Sequence, residues 1–186
     1  MFGKKRKNSE GSISERDDIE AMMSEMLDKV HSSVPEKGEA DDVVSSIKKC
    51  FDDNEWKYDF NPERNNFYID FTGQAVNFKN LILARKDSIC VYSKYEIQVI
   101  PEREVELLYK VNEINKDIYY GSFFIDKEYD SIVFRCTHRI TESEVSPALV
   151  DSFFGMILDT VDDNGGFFKE ILESRTVKNE NNPMFN

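Results

Sequence analysis

The sequence predicts an α+β fold: an antiparallel sheet with helices packed on one face, in the order helix, four strands, helix, two strands, helix. Two observations carry this reading. Within 103–140 the apolar period changes from helical to strand. Leu107, Leu108, Val111, Ile114 and Ile118 recur at three- and four-residue spacing. From Ser122 onward, Phe123 and Ile125 alternate with Phe124 and Asp126. After a polar turn, Ile132, Phe134, Cys136, His138 and Ile140 alternate with Val133, Arg135, Thr137 and Arg139. A helix feeding directly into such a hairpin packs on the sheet it joins. The second observation is that most predicted strands have one apolar face and one bearing charges or hydroxyls, so helices cover one side and much of the other is wet.

Taken in order, Asp41 or Asp42 can cap a first helix carrying Val43, Val44, Ile47, Cys50 and Phe51 inward and ending near Asn54. Trp56, Tyr58 and Phe60 alternate with Lys57 and Asp59 as a short strand. The polar run from Asn61-Pro62 to Asn65 is a turn. Phe67, Ile69 and Phe71 make a second strand, broken by Gly73. Two more, 78–84 and 88–95, are joined by a tight turn at Arg85-Lys86-Asp87. Pro101 separates sheet from central helix, and Glu102, Glu104 and Glu106 favour that helix's positive end. Asn115 and Lys116 close it. Ser146 then caps a last helix with Pro147 in its first turn, where a missing N–H costs nothing. Its apolar residues, Phe153, Phe154 and Leu158 among them, spread around more than one face. The run from Asp162 to Gly166 is expected to break this helix.

Ahead of the domain, Ser14 and Asp17 form a capping-box pattern, and Ile19, Met22, Met23, Met26, Leu27 and Val30 recur at helical spacing. This predicts an amphipathic helix over about 15–32, then a linker at 34–38. Its Met-rich stripe suits an adaptable docking surface, or lies on its own domain or on a second copy. The organisation is therefore 1–38, a flexible basic start plus the Met-rich helix and linker; 39–174, one α+β domain; and 175–186, a polar tail.

Thirty-six acidic against twenty-four basic residues give a net charge of −12. Residues 1–38 carry seven basic and eight acidic side chains, so −11 falls on the rest. Such a body repels nucleic acid, whose binding needs cations on phosphates, and favours protein partners that carry basic segments. No apolar run reaches the roughly 18 residues of a membrane span, and no apolar segment follows the basic cluster Lys4-Lys5-Arg6-Lys7. A cytoplasmic protein without stable membrane insertion is the expectation.

Chemistry is sparse. Cys50, Cys90 and Cys136 form no CxxC pair, and zinc-site spacing is missing. Cys136 and His138 share a strand face, but Phe134 and Ile140 mark that face as core. Asp162, Asn164 and Glu173 match three positions of a calcium loop, yet Phe167 stands where the sharp turn needs glycine. Phosphate-cradling glycine motifs are absent as well. No catalytic residue, metal or cofactor is therefore expected.

Trp56-Lys57-Tyr58-Asp59, Val111-Asn112-Glu113-Ile114-Asn115, Gly121 and the hairpin to Ile140 resemble the YbjN family over roughly 41–173. That resemblance implies a twisted antiparallel sheet like that of type III secretion chaperones. It also implies a non-enzymatic, dimeric protein that binds or regulates others. The expected function is a chaperone-like or regulatory interaction module that holds another polypeptide on apolar helix and sheet surface. Met22, Met23, Met26, Phe153, Phe154 and Leu158 are its candidate contacts. The alternative is a small-molecule sensor with a pocket between sheet and helices.

Overall fold

The computed structural model describes residues 40–140 and 145–174. The basic cluster, the Met-rich stripe with Met22, Met23 and Met26, the linker and the polar tail lie outside the described residues. Helix α1 (Asp41–Asp53) precedes strands β1 (Asp59–Asn61), β2 (Asn66–Phe71), β3 (Phe78–Arg85) and β4 (Ser88–Gln98). A 3-10 turn (Pro101–Arg103) leads into α2 (Glu104–Asn115), followed by β5 (Gly121–Asp126), β6 (Ser131–Arg139) and α3 (Pro147–Glu173). The six strands form one sheet in the order β1-β2-β3-β4-β6-β5, antiparallel at every pairing. The α+β class, the helix on the hairpin and the element order are as the periodicities predict.

All three helices contribute to one core with the inward row of each strand. Phe51 of α1 is its hub, with ring centroids 5.7 Å from Trp56, 5.3 Å from Tyr58, 5.8 Å from Phe67 and 5.1 Å from Phe154. These tilted and edge-on contacts add to the stabilisation from burial alone. They also explain why the first strand is only three residues long. The Trp56 N–H donates to Phe51 O at 2.9 Å, so Trp56 and Tyr58 fold back on the helix end instead of extending the strand. Within the core, Ser93 Oγ donates to Asn80 Oδ1 at 2.5 Å and Asn80 Nδ2 to Ile69 O at 3.0 Å. Three strands are thereby tied through polar groups that are each satisfied.

Two local expectations are corrected, the cap of α1 and the break in the last helix. Neither Asp41 nor Asp42 caps α1: the N-cap is Ala40 without a side-chain cap, and both carboxylates sit in the first turn at the positive helix end. The central helix begins through the 3-10 turn, with Pro101 at its start. The last helix does not break at 162–166 and runs unbroken from Pro147 to Glu173. At Gly165 the helix passes close to the sheet, where a Cβ would stand 3.1 Å from the Tyr95 ring. The Tyr95 hydroxyl donates to Val161 O one turn earlier. Asp162, on the same face, accepts from Gln74 N at 2.7 Å and Gln74 Nε2 at 3.0 Å. The capping expectation for Ser146 holds, with Leu149 N donating to its hydroxyl at 3.2 Å.

The face of the sheet away from the helices is more apolar than the alternation implies. Leu81, Leu83, Tyr92 and Val133 form a second buried cluster, with Tyr68, Cys90, Phe124 and Tyr129 packed against it.

Candidate interaction surface

Helix α2 and the C-terminal half of α3 form the surface with the clearest functional character. Arg103 Nη2 donates to Ser174 O, the Lys110 ammonium lies 4.6 Å from the Phe167 ring centroid, and Tyr120 and Thr160 share a hydroxyl hydrogen bond. As the first number of each pair rises the second falls, so the two helices run antiparallel. At its far end α2 is fastened to the sheet by Asn115. Its amide donates to Phe123 O at 2.9 Å and accepts from Phe123 N at 2.8 Å. Asn115 thus pairs with edge strand β5 as a neighbouring strand would, satisfying both backbone groups of Phe123. Gly121 lies just upstream, where a Cβ would meet Phe134 Cζ at 2.5 Å and Arg135 O at 2.6 Å, so only glycine fits.

Clamped this way, α2 presents Leu107 and Val111 to the core and little else. Val105 is 82% exposed, Tyr109 69% and Leu108 38%. Their spacing of three and four residues puts them on one stripe of the helix. Phe167 on α3 is 48% exposed beside Lys110, and Ile100, ahead of α2, is 39% exposed. Periodicity alone had assigned Leu108 to the buried face. The signal for the outer stripe was present in Val105 and Tyr109, four apart and on the opposite side from Leu107 and Val111.

The candidate contacts on α3 are placed differently. Phe153, Phe154 and Leu158 all pack within the domain, Phe154 against Phe51 and Phe153 against the His138 ring at 5.3 Å. The exposed large apolar residues of α3 are Leu149 and Phe167.

Among the described residues, burial keeps the core thiols protonated. Cys136 donates to Tyr120 O at 3.0 Å, and burial pushes its thiol up to about 12. A thiol held neutral is a poor nucleophile. Burial likewise raises Cys50 to about 12, helped by the nearby Asp151 carboxylate; Asn54 Nδ2 donates to that carboxylate at 2.9 Å, joining α1 to α3. Asp162 and Asn164 belong to a continuous helix rather than a loop, so the partial calcium pattern does not wrap an ion. Among the described residues, no group of three or more His, Cys, Asp or Glu could hold a metal ion. No described helix is long and apolar enough to cross a membrane.

The described residues thus form an antiparallel sheet backed by three helices, with an apolar stripe exposed on α2. The chain belongs to the YbjN family, described as "Putative bacterial sensory transduction regulator", whose profile matches residues 44–170. A crystal structure of YbjN from E. coli, described as "a putative transcription regulator", is similar in fold, with a TM-score of 0.53 at 13% identity. The match covers 68% of this chain and 90% of that one. No curated protein matches. The family is thus described as a regulator and not as an enzyme.

Proposed function

We propose that this protein is a non-enzymatic regulatory module that works by holding another polypeptide against the outer stripe of α2. The observation that supports this most is the exposure of Val105, Leu108 and Tyr109 on a helix that Asn115 fixes rigidly to the sheet. Large apolar side chains gathered on one exposed face mark a protein contact more often than chance scatter does. Tyrosine in such a stripe offers a broad apolar ring and a hydroxyl that tolerates water before binding. Over 102–117, Glu102, Glu104, Glu106, Glu113 and Asp117 outnumber Arg103, Lys110 and Lys116. The fitting partner therefore brings apolar side chains flanked by cations.

The test compares the intact protein with its Val105→Glu/Tyr109→Glu variant as bait in extract of the native host. Partners held by α2 are retained by the first and lost from the second, while the circular dichroism of the two proteins stays the same. Retention of the same partners by both would refute the reading. A second copy is one admissible partner, and sedimentation velocity distinguishes it through the mass of the complex.

A further inference from the structure

Leu81, Leu83, Tyr92 and Val133 are at most 3% exposed, although α1, α2 and α3 all contribute to the core on the opposite side of the sheet. A sheet face turned to water leaves its central side chains partly wet. These four occupy the middle of the second face: Leu81 stands opposite Tyr92, and Tyr92 opposite Arg135. Lys79, on the same row parity, has a side chain only 11% exposed. Burial pushes the Tyr92 phenol up to about 12. At opposite ends of the face, Asn66 Oδ1 and Ser131 Oγ are buried without a hydrogen-bond partner. Of the described segments, only Tyr129 in the β5–β6 turn leans over this cluster, and Leu81 and Leu83 lie strands away from it.

We infer that residues 15–32 dock as an amphipathic helix on this second sheet face, laying Met22, Met23 and Met26 over the cluster centred on Leu81 and Tyr92. Three features of the chain fit this occupant. Eighteen helical residues span about 27 Å, and five strands at roughly 4.8 Å spacing make a face about 19 Å across. Residues 33–39 reach about 23 Å when extended, twice the ~10 Å between packed layers, so the segment can round the sheet before α1 begins. Residues 15–32 hold six carboxylates against Arg16 and Lys29, a net of −4. The face they would meet carries Lys79 opposite Lys94 and Arg135 beside Tyr92, with Asp70 opposite Lys79 and Glu96 paired to Lys79 at 3.1 Å. Unbranched methionines suit a surface made of mixed aromatic and aliphatic side chains.

Cys90 reports on this directly, because it lies on the second face while Cys50 and Cys136 lie in the main core. In the full-length Met22→Asp/Met26→Asp variant, Cys90 is expected to react with a maleimide at least tenfold faster than in the unaltered protein. Cys50 and Cys136 keep their rates. An unchanged Cys90 rate would overturn the inference. A rise at all three thiols signals general unfolding of the variant, and the unaltered protein then decides. Carbodiimide treatment of a mixture of light and 15N-labelled chains is expected to join Glu20, Glu25 or Asp28 to Lys79 or Lys94 within single chains. Cross-links only between light and heavy chains would assign the face to a second copy, and none at all would leave 15–32 elsewhere; either contradicts the inference.

Discussion

Helices α1 and α2 lie on the same face of one sheet and are nearly equal in length, thirteen residues against twelve. All five apolar residues of α1, from Val43 to Phe51, are buried. Of the six in α2, Val105, Leu107, Leu108, Tyr109, Val111 and Ile114, only Leu107 and Val111 are. α1 is held by what it buries, with Phe51 inside a ring of four aromatic neighbours. α2 is held at its ends, by Asn115 on Phe123 and by Arg103 on the end of α3. A helix fastened by polar clamps can leave apolar side chains facing outward without losing its place. That separates the part of the molecule that makes the fold from the part available for contact.

The sharpest break of this contrast is Phe51→Ala. Removing the hub of the α1 contacts should cost about 3–5 kcal/mol, as Phe→Ala cavities do, read as a lower urea midpoint with an unchanged slope. A loss under about 1 kcal/mol would mean that α1 is not the anchored helix. Asn115→Ala is the corresponding test for α2. It leaves both backbone groups of Phe123 without their partner, a cost of about 1–3 kcal/mol. Amide exchange should quicken in α2 and β5 before it does in α1. Uniform exchange across both helices would show that the clamp is not local.

The pH dependence sharpens the comparison from the α1 side. The Cys50 thiol is held at about 12 in the fold against an ordinary 9.0. Above pH 9 the unfolded chain ionises this thiol while the folded chain keeps its proton, so the unfolded state binds fewer protons. The stabilisation from Cys50 is therefore complete below pH 9 and declines as pH rises toward 12. Urea titrations from pH 8 to pH 11 should show this decline, and Cys50→Ala should make it shallower. A rise in stability over that interval would reverse the assigned sign. The smallest expected effect is that of Val105→Ser with Tyr109→Ser. Exposed positions usually move stability by no more than about 0.5 kcal/mol, so the urea midpoint should hold while binding is lost.

The two helices also differ in how far the chain reveals them. α1 is legible because its apolar residues keep to one stripe and its remaining positions are charged or small. α2 is apolar on both sides, so period alone cannot say which side meets the sheet. The choice depends on where Asn115 docks, a contact eight residues away in sequence but made across space. Distance in sequence likewise hides the true end of α3: Gly165 and Gly166 read locally as a break, whereas Gly165 lies close to the ring of Tyr95. The same holds for Trp56, which alternates like a strand residue but is drawn back onto Phe51. Of the candidate contacts, Phe153, Phe154 and Leu158 have the composition of an exposed surplus, and only packing against Phe51 and His138 places them inside. Alternation gave the strands and their inward row. It did not foretell a second buried cluster around Leu81 and Tyr92, since that face also carries Lys79, Lys94 and Arg135.

The most direct test of the α2 account is photo-cross-linking in the native host with a benzophenone side chain in place of Tyr109. A second protein carries the same probe at Lys57, outside the α2 stripe, as the control. The account predicts a covalent polypeptide adduct from position 109 that position 57 does not give, at twice 21.7 kDa if the partner is a second copy. Irradiation that yields no adduct from position 109, or the same adducts from both positions, would contradict it.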